Sequence, residues 1–162
     1  MKHIKLLFVL FIVCVTLSSC ATFINQPRKY FGFDLTSFTV IEENDTHGGF
    51  HGDGYYYFTL DCSSNTYHAY ELIQNWNDLP LSENLYLVMY GGEKDEVNYG
   101  HNFADKAHWP TVTNGVYKFV DRHSEATNES DDTDLLTRFS YNFSVAVYDF
   151  DTNRLYYFEV DT

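Results

Sequence analysis

A short glycine-rich segment, residues 45–54, carries the side chains best suited to hold a metal ion. Two of its residues are histidines and two are aspartates, namely His47, His51, Asp45 and Asp53. Imidazole and carboxylate groups are common metal ligands, and glycine lets a backbone fold closely around an ion. The same composition is typical of a long hairpin loop with its histidines at the surface. Both interpretations stay open, a plain loop and a divalent metal site at His47, His51 and Asp53.

A second polar segment, residues 121–125, follows a predicted strand and has the sequence Asp-Arg-His-Ser-Glu. A histidine beside a carboxylate can act as a general base, and a serine can act as a nucleophile. His123 and Ser124 would point to opposite faces of an extended chain, so they form no catalytic pair without a sharp turn. Asp121 and Arg122 are candidate binding residues. If both polar segments lie at one end of a sheet, His123 joins the predicted metal set.

The acidic turn at residues 149–153 imitates the first half of a calcium-binding loop. Such a loop needs glycine at its sixth position and a bidentate glutamate at its twelfth. This chain has Arg154 and Val160 at those positions, which excludes a calcium loop and favours a hairpin turn. We therefore expect no cofactor, with a divalent metal at the glycine-rich segment as the alternative.

The amino-terminal residues have the pattern of an export signal. Lys2 and Lys5 precede an apolar run at residues 6–17. A helix of that length spans roughly 18 Å at about 1.5 Å per residue, whereas a hydrocarbon core is about 30 Å thick. The run is thus too short to cross a membrane and has the length of a signal sequence.

The residues that end this segment, Leu17-Ser18-Ser19-Cys20, resemble the lipobox of bacterial lipoproteins. In that family a branched apolar residue and two small residues precede a cysteine whose thiol receives a diacylglyceryl group. The resemblance implies that residues 1–19 are removed as a signal peptide and that acyl chains such as palmitate anchor Cys20. Two acyl chains anchor a protein stably, whereas one does so only marginally. We expect attachment to the cell membrane or the outer membrane, with the domain on the extracytoplasmic side.

The amino-acid composition indicates an acidic domain without disulfides. The net charge of the chain is −13, and removal of Lys2 and Lys5 with the signal makes it about −15. That charge repels nucleic acids and anionic lipid headgroups. Cys62 is the one cysteine left besides the lipidated Cys20, so an intramolecular disulfide is excluded and the fold depends on its core.

Hydrophobic periodicity predicts an α+β domain over residues 31–162, after a tether at residues 20–30. Apolar alternation or compact apolar runs predict six strands, at residues 35–42, 55–60, 85–90, 116–120, 138–149 and 155–160. Apolar spacings of three and four predict one main helix over residues 67–79, ended by Pro80. Residues 93–114 are expected to be irregular, and residues 121–136 to form a mobile, solvated loop. These elements predict a mostly antiparallel sheet with the helix packed on one face.

These features favour a non-catalytic binding or envelope-associated lipoprotein. The expected partners are the membrane, through Cys20, and an envelope glycan or a cationic protein segment, which would suit exposed tyrosine and carboxylate side chains. The alternative is a metal-dependent hydrolase that uses residues 45–54 with His123. The two polar segments and the aromatic carboxy-terminal hairpin also resemble small bacterial lipoproteins of unknown function, which implies no activity and no catalytic residues.

Replacing Cys20 by serine tests the anchor, because it removes the thiol that would receive the lipid. We expect the Cys20→Ser protein to lose incorporation of a fatty-acid probe in a lipoprotein-processing bacterium, while its domain stays folded. Gel fluorescence of the labelled protein measures the incorporation. Cys62→Ser removes the other cysteine of the mature chain and should keep the label. Labelling that persists in Cys20→Ser would refute the anchor.

Overall fold

The computed structural model describes residues 26–48 and 52–162. The predicted signal peptide, Cys20 and His51 lie outside these ranges. Within them, no helix combines the length and the hydropathy that crossing a membrane requires.

The chain divides into two compact units between Asp34 and Leu35. The described part of the first unit contains one π-helical turn, Pro27–Phe31, which ends at Gly32. Gly32 has a φ of 75°, a left-handed conformation that glycine adopts without steric cost. The second unit carries the sheet and the candidate residues that the structure describes.

Among the described residues of the second unit, eight strands form two antiparallel sheets. Their bounds are β1 Thr39–Asp45, β2 Gly54–Asp61, β3 Asn77–Asp78, β4 Gly92–Lys94, β5 Val97–Tyr99, β6 Gly115–Asp121, β7 Asn142–Asp149 and β8 Arg154–Asp161. The large sheet has six strands in the spatial order β1-β2-β8-β7-β6-β3, and β4 pairs with β5 alone. A mixed fold built on a six-stranded antiparallel sheet is thus confirmed, as are the predicted β1–β2 and β7–β8 pairings.

Three α-helices lie among the described residues of this unit: α1 Thr66–Ile73, α2 Glu83–Tyr90 and α3 Phe103–Lys106. Helix α2 begins where Ser82 Oγ accepts a hydrogen bond from Leu85 N at 3.2 Å, which is an N-cap. The predicted strand at residues 85–90 is therefore wrong. A short apolar run suits a buried helix as well as a strand, and here the cap determines the outcome.

The prediction of one main helix does not hold, because α1 and α2 have eight residues each. The predicted helix over residues 67–79 ends at Ile73. The chain then extends, and Asn77 pairs with Tyr117 of β6. Pairing with a neighbouring strand thus outweighs the helical spacing of the later apolar residues.

Two predicted strands begin later than their sequence pattern indicates. Strand β1 starts at Thr39 because residues 35–37 form a 3₁₀ turn. Strand β7 starts at Asn142, since the chain bends at residues 139–140. In both cases local turn geometry replaces the first residues of the alternating pattern.

The two connections predicted to be irregular contain local structure. Residues 93–114 include most of the β4–β5 hairpin and helix α3. Within residues 121–136, Asp121 N donates to Glu129 O at 2.7 Å and Leu135 is buried. The acidic loop is therefore attached to the end of β6 at Glu129 and to the core at Leu135.

The large sheet is buried on both faces. On one face, Val145 and Val147 of β7 join Phe158 of β8 in a core that also contains side chains of α2 and α3. On the other face, the rings of Phe58 and Tyr157 stack with centroids 4.7 Å apart. Alternate residues of the central strands thus enter two separate buried layers, so even a polar side chain on β8 lies away from water.

Phe158 has no exposed surface, and its ring centroid lies 5.1 Å from that of Phe103. We expect Phe158→Ala to lower the free energy of unfolding by about 3–5 kcal/mol, because it leaves a cavity in a closely packed core. Urea unfolding followed by tryptophan fluorescence measures the change. Phe150→Ala is the control, since that ring is 37% exposed and should cost much less. Equal losses in the two variants would contradict this account of the core.

Candidate functional site

The register of the sheet brings the two polar segments to the same end. Asp161, at the end of β8, pairs with Gly54 of β2 and with Asn142 of β7. Asp121, at the end of β6, pairs with Phe143 near the start of β7. The glycine-rich segment and the Asp-Arg-His-Ser-Glu segment therefore flank the end of β8, where a shared site could form.

His47 follows β1 and is oriented by Asp45. The imidazole Nδ1 lies 2.7 Å from Asp45 Oδ1, and the His47 backbone N donates to the same oxygen at 2.9 Å. Because a carboxylate only accepts, Nδ1 carries the hydrogen, and Nε2 lies 3.3 Å from Asp161 Oδ2. Metal-binding histidines are commonly oriented in this way, by a carboxylate that accepts a hydrogen bond from the ring nitrogen that does not bind the metal.

Gly54 lets the His47 backbone come close to the sheet. Thr46 continues the β1–β2 pairing, with its backbone N donating to Tyr55 O at 2.9 Å. A Cβ atom on Gly54 would lie 2.6 Å from His47 Cα, a distance that real Cβ atoms do not tolerate. Glycine at this position is therefore required for the placement of the imidazole, whose side chain is 3% exposed.

Glu159 completes a group of three possible metal ligands with His47 and Asp161. Each residue offers one ligand atom, and these atoms lie within 4.8 Å of one another. Glu159 is fully buried, and its Oε2 accepts a hydrogen bond from the Tyr157 hydroxyl. Among the described residues, its Oε1 has no hydrogen-bond partner. An unpaired buried oxygen costs free energy, and a bound cation would remove that cost.

Burial raises the pKa of Glu159 to about 7. Desolvation is the largest cause and the Asp161 carboxylate adds to it, while the Tyr157 hydroxyl and the Arg122 guanidinium act in the opposite direction. The pKa of the Tyr157 hydroxyl is raised as well, again mainly by burial. Without a metal ion, Glu159 therefore keeps a proton up to near-neutral pH.

Arg122 holds Asp161 with two hydrogen bonds. Its Nη1 donates to Asp161 Oδ1 at 2.8 Å, and its Nη2 donates to Oδ2 at 3.2 Å. Nε donates to Ser144 Oγ at 2.8 Å, and Nη2 also reaches the carbonyl oxygens of Phe143 and Val160, each at 3.1 Å. The guanidinium, only 8% exposed, is thus fixed on all sides and keeps Asp161 in place.

Two sequence-predicted metal ligands are not part of this group. Asp53 is exposed. His123 places Nε2 3.1 Å from Ser140 Oγ and lines a separate cavity of about 530 Å³ with Arg138 and Phe139. His51 lies outside the described residues. Of the described members of the predicted metal set, only His47 therefore lies beside Glu159 and Asp161.

The two predicted binding residues, Asp121 and Arg122, have different partners. Asp121 is buried and forms an ion pair with Arg138. Arg122, the next residue, turns to the other side of the sheet and contacts Asp161. Since neighbours in an extended chain alternate between faces, Arg122 rather than His123 reaches the candidate site.

Glu159 and Asp161 are absent from the sequence predictions, although the chain carries a signal for them. Tyr157, Glu159 and Asp161 alternate along one strand whose remaining residues are mostly apolar. Whether a carboxylate in such a run is buried depends on the place of its strand in the sheet and on whether that face of the sheet is covered. The sequence does not show that β8 lies between β2 and β7 in a sheet buried on both faces.

No protein-family model, curated protein or solved structure matches the chain. The chemistry of the site is therefore inferred from its own side chains, from their burial and from the distances between them.

Glu159 makes the stability of the metal-free protein depend on pH. A carboxyl group whose pKa rises from 4.5 to about 7 on folding binds more protons in the folded state between these values. Stability therefore falls as the pH rises through that window, by up to about 3 kcal/mol. Glu159→Gln should remove this loss and be more stable than the wild type at pH 8.

Urea unfolding in the presence of a chelator, at several values between pH 5 and pH 8, measures the difference between the two proteins. Glu129→Gln, at an exposed position, is the control and should follow the wild type. A wild type and a Glu159→Gln variant with parallel pH dependence would show that Glu159 titrates normally.

Proposed function

We propose that this protein is a membrane-anchored, extracytoplasmic lipoprotein that binds a divalent transition-metal ion at His47, Glu159 and Asp161. The lipobox at Cys20 supports the anchor. The observation that carries the metal site is the buried Glu159 carboxylate, whose Oε1 has no hydrogen-bond partner among the described residues, beside an imidazole oriented by Asp45.

The distances within the group support an ion of this kind. Zn²⁺ binds nitrogen and oxygen ligands at about 2.0–2.2 Å, which separates neighbouring ligands in a tetrahedron by about 3.4 Å. His47 Nε2 and Asp161 Oδ2 are 3.3 Å apart. The three ligand atoms lie within 4.8 Å of one another, so Glu159 needs an approach of at most about 1.4 Å to complete a three-ligand site of that size. A small side-chain movement is thus sufficient.

The ligand types favour a transition metal over calcium or magnesium. Ca²⁺ and Mg²⁺ take oxygen ligands, and Mg²⁺ usually keeps several waters. An imidazole together with carboxylates suits Zn²⁺ and the neighbouring divalent ions. The nitrogen of His47 is therefore the ligand that distinguishes between these two classes of metal.

The burial of the site favours binding over catalysis. Glu159 is fully buried, and Asp161, which is 21% exposed, is the most accessible of the three ligands. A catalytic metal needs an open position that faces a substrate. Two cavities of this unit, of about 240 and 530 Å³, are lined by other residues. A metal-dependent hydrolase is therefore the second candidate function. We propose that a glycan or a cationic protein segment binds the acidic exterior instead.

Metal binding by the mature lipoprotein in detergent tests this function. We expect one equivalent of Zn²⁺ per chain, and we expect His47→Ala to weaken the affinity by about a hundredfold because it removes the nitrogen ligand. Isothermal titration measures the affinity, and the visible spectrum of the Co²⁺-substituted protein reports the coordination.

His108→Ala is the matched control for that experiment. His108 also pairs with a carboxylate, its Nδ1 lying 2.7 Å from Glu42 Oε1, but its side chain is 65% exposed. This variant should bind Zn²⁺ as the wild type does. Less than about a tenth of an equivalent of any first-row transition metal in the wild type, or equal affinity in the two alanine variants, overturns the proposed site.

A further inference from the structure

We infer that Arg122 matches the charge of this site to a single divalent cation and thereby sets its preference for divalent over trivalent ions. The inference rests on the proposed metal site. Arg122 is not a ligand in it. It acts through its contacts with Asp161 and through its fixed positive charge.

The formal charges around the site leave a deficit of two positive charges. Asp45, Glu159 and Asp161 contribute three negative charges when they orient or bind a metal as carboxylates. His47 donates a hydrogen bond from Nδ1 to Asp45, so it would bind the metal ion through Nε2 as a neutral ring. Arg122 contributes one positive charge. A single divalent ion therefore makes the whole cluster neutral.

The charge of Arg122 belongs to the site because it is permanent and close. A guanidinium does not lose its proton in proteins. Its two Nη atoms lie 2.8 and 3.2 Å from the oxygens of Asp161, and it is almost fully buried. Charges buried in this way are screened much less by salt than surface charges are. The contacts with Ser144 and with two carbonyl oxygens also prevent the side chain from turning away.

Arg122 leaves space on Asp161 for a metal ion. A carboxylate has about four lone-pair sites on its two oxygens, and Arg122 occupies one on each. Its longer contact, at 3.2 Å, is with Oδ2, the same oxygen that lies 3.3 Å from His47 Nε2. Oδ2 can therefore bind a metal while Oδ1 stays held by the guanidinium at 2.8 Å.

A buried cluster with a net charge is unstable unless that charge is compensated. With Arg122 in place, a trivalent ion leaves one excess positive charge. When a neutral residue replaces Arg122, the same trivalent ion leaves none and a divalent ion leaves one excess negative charge. The preference between the two kinds of ion should thus depend on the charge at position 122.

The test compares Zn²⁺ and Tb³⁺, each added alone to the mature lipoprotein in detergent. Titration calorimetry measures the Zn²⁺ affinity, and Tb³⁺ luminescence sensitised by the nearby tyrosines measures the Tb³⁺ affinity. In Arg122→Gln, the ratio of the two affinities should move toward Tb³⁺ by about tenfold or more. Arg122→Lys keeps the charge and should stay within about threefold of the wild-type ratio.

Two further variants complete the test. Arg138→Gln removes the other buried arginine, which pairs with Asp121, and should leave the ratio unchanged. Arg122→Met is a second neutral replacement and should move the ratio toward Tb³⁺ as Arg122→Gln does.

A ratio that stays at the wild-type value in a folded Arg122→Gln or Arg122→Met overturns the inference and leaves metal binding intact. An equal shift in Arg138→Gln overturns it as well, because the effect is then not specific to the site. A wild type that binds no Zn²⁺ overturns the proposed function instead.

Discussion

A carboxylate buried on a central strand of the sheet is the constraint on which the arrangement of side chains around the end of β8 depends. Glu159 lies on β8, which pairs with β2 on one side and with β7 on the other along its whole length. An isolated carboxylate costs several kcal/mol to bury. The Tyr157 hydroxyl, the Arg122 guanidinium and the His47 imidazole each reduce that cost, and all three lie on elements that converge on the end of β8.

The parts of the fold that are local in sequence could be predicted from it. The alternation of side chains over residues 143–148 and 155–160, with a polar turn between them, describes β7 and β8 closely. Helix α2 could not be predicted in this way. Its apolar run suits a strand equally well, although Ser82 before the run is a local signal for the start of a helix. The Ser82 hydroxyl also hydrogen-bonds to Asp132, fifty positions away in the chain, which the sequence pattern does not show.

The same distinction between local and long-range information applies to the residues of the candidate site. His47 could be proposed from its residue type and its glycine-rich surroundings, and Arg122 from its place in a polar segment. Glu159 and Asp161 could not, because their burial and their distance from His47 depend on the strand order and register of the sheet. His123 shows the converse error, since one step along an extended chain is enough to direct a side chain away from the site.

The placement of the ligands explains how such a site could be selective and still fill readily. Glu159 and Asp161 lie on a central strand, and Asp161 is held by a guanidinium that is itself fixed, so two of the proposed ligands would need little movement when an ion binds. His47 follows the outer strand β1, and Asp45 sets its ring orientation. A site prepared in this way loses little conformational freedom on binding, which leaves more of the interaction energy for affinity. The net charge of −13 also attracts cations toward the surface of the protein. Selectivity then has to come from the cluster itself, where the number and sign of the fixed charges distinguish one cation from another.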